Sequence, residues 1–144
     1  MNIETERLII KPLTLDDARR FSEYRDKEVA MYQSWDEYPL NKAINRIEYC
    51  QKHPFHGQIG NYQFGLYLKE NNRLIGDIFI EIDGHTTFTL GYTLDSVYWS
   101  KGYASEALKS VFKEMHETYS FKICLCHVYE DNIKSIKLLE RNGF

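Results

Sequence analysis

A run of apolar and small residues, Leu90-Gly91-Tyr92-Thr93-Leu94, is followed by Trp99-Ser100-Lys101-Gly102-Tyr103-Ala104 and then by Ser105-Glu106-Ala107-Leu108. The pattern reads as a strand, a short loop and a helix that opens on small residues. Such a loop aims several backbone N–H groups at one point, and the helix dipole adds partial positive charge there, so the junction suits a phosphate. Gly102 and Ala104 keep side chains out of the way of a ligand that must approach the backbone. A plain structural turn accounts for the same local pattern equally well, so the rest of the chain has to decide.

Other residues of chemical interest are weaker. Cys50, His53 and His56 have ligand-like types, but Pro54 interrupts them and no fourth ligand stands nearby, whereas a structural zinc takes four. They read as surface or packing residues, and no metal is expected. Met31, Tyr32, Trp35 and Tyr38 form an irregular aromatic stretch that is either a loop packed on the core or one wall of an acceptor pocket. Three cysteines are an odd number. Cys124 and Cys126 are expected on opposite faces of one strand, which leaves free thiols and points to a reducing, cytoplasmic setting.

The elements that position the loop follow from periodicity. Arg7–Lys11 is a short strand ended by Pro12. Thr14 followed by Asp16 and Asp17 opens a helix that carries Ala18, Phe21 and Tyr24. Ala43, Ile44, Ile47 and Cys50 mark a second helix from about Asn41 that stops before Pro54. Tyr62–Lys69, Leu74–Asp83 and Thr86–Leu94 alternate as strands, with Leu74, Ile78, Ile80 and Ile82 expected on one face. Their short connections make them an antiparallel meander. The helix after Gly102 buries Ala104, Leu108, Val111, Phe112 and Met115. Phe121–Tyr129 is nearly continuous apolar sequence, expected as a central strand parallel to Thr87–Leu94. Asp131-Asn132 opens a last helix, with Asn132 as its N-cap and Gly143 as its stop.

With 144 residues, 43% hydrophobic and 27% charged, the chain fits one folded domain. A net charge of −3 without a basic run argues against a nucleic-acid groove and suits a cationic or amine substrate. No apolar segment reaches bilayer-spanning length.

In this order the elements resemble the GNAT superfamily of acetyl-CoA-dependent N-acetyltransferases, closest to the branch that holds the ribosomal-protein N-terminal acetyltransferases. Four stretches carry the likeness. They are Thr5-Glu6-Arg7-Leu8-Ile9-Ile10-Lys11-Pro12-Leu13 with Asp17-Ala18; Leu74-Ile75-Gly76-Asp77-Ile78; Gly91-Tyr92 with Trp99–Ala107; and Asn132-Ile133-Lys134-Ser135 with Glu140-Arg141-Asn142-Gly143-Phe144. The resemblance implies an α+β fold in three layers, with a mixed, mostly antiparallel sheet, a splayed parallel strand pair and helices on both faces. It gives the loop its ligand: the N–H groups of Lys101, Gly102, Tyr103, Ala104 and Ser105 hold the CoA diphosphate, with Trp99 where many relatives carry Gln or Arg. The pantetheine arm pairs with strand backbone around Tyr92 and Leu94, as an added strand would.

The reaction so implied is direct acetyl transfer to a primary amine, on a protein N-terminus or a small molecule. Relatives often carry a general-acid Tyr seven residues after the Asn. Here that position is Leu139, so Ser135 is the expected partner of the CoA sulfur, with Asn132 at the pantetheine or acetyl. The strand acid of many relatives is also absent. Glu81 on the neighbouring strand is the candidate base, through water, against a solvated surface residue. Tyr32 and Trp35 are candidates to hold the amine by cation–π contact. The family continues past Gly143-Phe144 with two further strands, so the expectation is a domain truncated at its C-terminus, or one that completes its sheet with another chain, as monomer or homodimer. The rival from another class is a non-catalytic acyl-CoA-binding sensor or scaffold.

Overall fold

The structure, a computed structural model, describes residues 1–25 and 37–126. Six strands form one sheet in sequence order: β1 (Ile3–Glu4), β2 (Leu8–Pro12), β3 (Gly60–Leu68), β4 (Leu74–Ile82), β5 (Thr87–Leu94) and β6 (Ile123–Cys126). The first five pair antiparallel, and β5 and β6 pair parallel in the register Thr87↔Ile123 to Leu90↔Cys126. A helix supplies the crossover that a parallel pair requires. It is the last of three, α1 (Ala18–Tyr24), α2 (Leu40–Lys52) and α3 (Tyr103–Glu117). Asp17 accepts both the N–H and the hydroxyl of Thr14, at 2.9 and 3.2 Å, and so starts the turn that leads into α1.

Each face of the sheet has its own apolar layer. On one, Leu8, Ile10, Leu66, Ile78, Ile80, Ile82, Phe88 and Leu90 pack under Ala104, Ala107, Leu108, Val111 and Met115 of α3. On the other, Tyr67 and Leu74 lie under Ala18, Phe21 and Tyr24 of α1 and Ala43 and Ile47 of α2. The mixed sheet with helices on both faces agrees with the sequence reading.

Three expectations are corrected. Leu74 does not join Ile78, Ile80 and Ile82; it faces α1, and Ile75 takes the α3 side. The cause is an irregular register at Leu66/Tyr67, where Leu66 pairs with Gly76 but Tyr67 with Leu74. An extra residue in one strand reverses the alternation beyond it. The apolar run from Phe121 is not a central strand in the described sheet: β6 pairs only with β5, and Ile123 and Leu125 are 51% and 48% exposed. Apolar composition marked a strand there, but the chain order of pairing put it at the edge. Finally, Cys124 and Cys126 lie on one face, both packed against the α3-side core, because side chains two apart in a strand share a face. The expectation of opposite faces misapplied that period. Both thiols and that of Cys50 are free.

Candidate functional site

The loop between β5 and α3 is fixed at several points. The Asp95 N–H donates to the Ile75 carbonyl at 2.8 Å, and its carboxylate takes the Val97 N–H at 3.3 Å and pairs with Arg20. A single 3₁₀ turn, Ser96–Tyr98, follows. The Trp99 indole N–H donates to the carbonyl of Leu94 at 2.7 Å, so this ring braces the end of β5. Ser100 and Gly102 both take left-handed backbone, with φ of 62° and 85°. Gly102 is the N-cap of α3 and offers no capping side chain to the first turn, which opens with Tyr103 and Ala104. An α-helix begins with amide donors that the helix itself does not use. The α3 terminus is thus a long-helix N-terminus whose cap position is bare, preceded by a loop held in one shape.

The opening segment of the chain closes on this terminus. Glu106, in the first turn of α3, accepts from the Thr5 hydroxyl at 2.5 Å, the Arg7 backbone N–H at 2.9 Å and the Arg7 Nε at 2.7 Å. Arg7 Nη1 donates to the Lys101 carbonyl at 3.0 Å, and the guanidinium lies 4.3 Å from the centre of the Tyr103 ring. A Cβ on Gly102 would stand 3.2 Å from Arg7 Nη2. Gly102 is therefore favoured by its φ, and a side chain there would also crowd the guanidinium. Burial pushes the Glu106 carboxyl up, but the hydrogen bonds from Thr5 and Arg7 and the Arg7 charge outweigh it and hold the group below its ordinary value. The Glu106 hydrogen bond raises Arg7 in turn. Sequence reasoning took Arg7 as the start of a strand, left Thr5 ahead of it, and gave neither a role. The one signal available was that both sit in a stretch that carried the family likeness.

The remaining candidates divide by face. Tyr92, paired with Ile78, is half-buried on the α3 side, and Leu94 is buried. Glu81 is exposed on the opposite face, between its cross-strand partners Asn61 and Thr89. Lys101 is exposed, Ala104 buried and Ser105 half-buried. Tyr32, Trp35, Asn132 and Ser135 lie outside the described residues.

The Glu81 face also holds a buried polar cluster that the sequence did not announce. Asp77, 1% exposed, accepts from Arg25 Nη2 at 2.8 Å, from Gln63 Nε2 at 2.7 Å and from the Tyr24 hydroxyl. Gln63 Oε1 in turn accepts from Arg46 Nε of α2 at 2.7 Å, and Asn61 accepts from Arg46 Nη1 at 2.9 Å. Burial pushes the Tyr24 hydroxyl far above its ordinary value, and the Asp77 charge adds to the effect. This cluster fastens α1 and α2 to β3 and β4. At the far end of the sheet from the loop, His53 stacks on Tyr49 with ring centres 4.2 Å apart. No group of three possible metal ligands comes together among the described residues, and no helix among them is long and apolar enough to cross a membrane.

Comparison with known proteins agrees with this fold. The acetyltransferase (GNAT) domain family matches residues 7–144. The chain is 29% identical over 144 residues to p20, named an uncharacterized N-acetyltransferase, from Bacillus licheniformis, covering 97% of this chain and 80% of that one. It superposes on the crystal structure of a GNAT-family acetyltransferase from Bacillus anthracis with a TM-score of 0.86 and 25% identity, covering 99% of this chain and 82% of the other. The ribosomal L7/L12 α-N-protein acetyltransferase RimL, solved in complex with coenzyme A, gives a TM-score of 0.83 at 14% identity, over 100% of this chain and 84% of that one, which is a likeness of fold. The chain belongs to the GNAT acetyltransferase family, and it is an N-acetyltransferase.

Proposed function

We propose that the chain moves an acetyl group from acetyl-CoA directly to a primary amine, on a protein N-terminus or a small molecule. The observation that carries this reading is the bare, rigidly held N-terminus of α3, with Gly102 at φ 85°. The fit is favourable: the cap position offers backbone and no side chain, as close approach of a diphosphate requires. Acetyl-CoA brings the thioester carbonyl, and the acetyl passes to the amine nitrogen with release of the CoA thiol. The amides of Lys101, Gly102, Tyr103, Ala104 and Ser105 hold the diphosphate. The backbone of β5 around Tyr92 and Leu94 aligns the pantetheine, and its N–H groups stabilise charge that develops on the carbonyl oxygen. Trp99 acts by fixing the end of β5 more than by touching the donor.

An amine attacks only when unprotonated, and its pKa of about 8 to 10 leaves most of it charged near neutrality. Glu81, open to water on the face opposite α3, takes that proton through solvent. Ser135 protonates or hydrogen-bonds the departing sulfur, Asn132 orients the pantetheine, and Tyr32 and Trp35 line the amine's approach. The test is release of CoA thiol from acetyl-CoA with a panel of amines and N-terminal peptides. Amine-dependent release is expected. Tight CoA binding with no release across the panel favours the sensor or scaffold instead.

A further inference from the structure

We infer that Arg7 is a donor-binding residue, whose Nη2 hydrogen-bonds the anionic diphosphate seated at the N-terminus of α3. The inference rests on the acetyl-CoA reading above and adds a side chain to a site otherwise built of backbone.

The guanidinium has three nitrogens. Nε is engaged by Glu106 at 2.7 Å and Nη1 by the Lys101 carbonyl at 3.0 Å. Nη2 has no hydrogen-bond partner among the described residues, and it is the atom nearest to the open side of Gly102, 3.2 Å from where a Cβ would lie. The side chain is 39% exposed, so that nitrogen is reachable. The Tyr103 ring and two hydrogen bonds hold the plane of the group, so little freedom remains to be lost when an anion arrives.

Charge argues the same way. A helix N-terminus carries partial positive charge, and a cation placed there is opposed by the dipole. Glu106 offsets one charge of Arg7, but its carboxylate lies in the first turn of the helix that is to receive a diphosphate. Without Arg7 that carboxylate would repel the ligand. With it, the pair is neutral and the spare N–H faces the loop. Charged hydrogen bonds to phosphate are the strong ones, and the arginine fork suits them. Support of the α3 terminus uses Nε and Nη1, which leaves Nη2 beside Gly102 for an anion.

The experiment compares two donors: acetyl-CoA, and S-acetylpantetheine, which has the thioester arm and no diphosphate. Arg7→Gln is expected to raise KM for acetyl-CoA by about tenfold or more, the loss of one charged hydrogen bond. KM for S-acetylpantetheine should change by less than about twofold, since that donor never meets the guanidinium. Arg7→Lys keeps a charge for Glu106 but not the fork, and it should show a smaller loss with the same selectivity for acetyl-CoA. CoA binding by calorimetry gives a second readout that does not need turnover. Equal losses with both donors would mark a merely structural role and overturn the inference, as would unchanged acetyl-CoA kinetics in both variants. CoA binding indifferent to Arg7 sinks this inference alone, whereas an unmodified protein that binds no CoA sinks the acetyl-CoA reading with it.

Discussion

Glu106 is the residue on which the geometry of the loop converges, because three donors from the first strand region end on one carboxylate. Its folded-state pKa lies below its unfolded one. Its contribution to stability is therefore complete above the ordinary glutamate value and is lost as pH falls through the depressed folded value. Glu106→Gln removes that dependence. The difference in Tm between the unmodified protein and Glu106→Gln should be constant from neutral pH to about pH 5 and shrink as the pH is lowered further. A difference that grows on acidification would contradict the assigned contacts. Arg7 and Glu106 stand 99 residues apart, so no local pattern in the sequence shows that they meet. Gly102 was legible as the small residue at a loop-to-helix junction. The guanidinium that stands beside it was not.

Among the elements, β4 is the one whose two faces divide the work. Ile75, Ile78, Ile80 and Ile82 point to the α3-side core, and Asp77 points to the cluster that holds α1 and α2. Alternation in the sequence identified the strand and most of its apolar face. It misplaced Leu74 because the irregularity at Leu66/Tyr67 belongs to the pairing of two strands and leaves no mark in either alone. Asp77 likewise appeared only as part of a motif, since its partners Tyr24, Arg25 and Gln63 come from α1, the turn after it and β3. Both side chains of the Arg25–Asp77 pair are almost wholly buried, 4% and 1% exposed. Asp77→Ala leaves the guanidinium without its counter-charge, a change that costs about 3–5 kcal/mol. Asp77→Asn keeps a carbonyl oxygen for Arg25 and should cost less. Urea denaturation of the two variants measures both, and equal, small losses would show that the cluster is not what fastens α1.

At the scale of the whole molecule, the sheet separates two tasks. In the proposed reading the donor's phosphates go to the C-terminal end of β5, where the chain turns into α3, while Glu81 and the Asp77 cluster lie on the opposite face of the sheet. The fold beneath it was legible from element order, a meander of strands, a loop, a helix, then an apolar strand parallel to the one before, while the Asp77 cluster was not. The sequence reading failed where the answer depended on edges and registers, as for Ile123 and Leu125, whose apolar character suggested a central place that the pairing does not give them. The central claim is that CoA binds with its diphosphate on the N-terminus of α3. Calorimetric titration of CoA into the unmodified protein and into Gly102→Glu tests it most directly, with circular dichroism confirming that both are folded. The added carboxylate and side chain occupy the bare cap position, so affinity should fall by more than about tenfold. Undiminished CoA binding by a folded Gly102→Glu protein would contradict the claim.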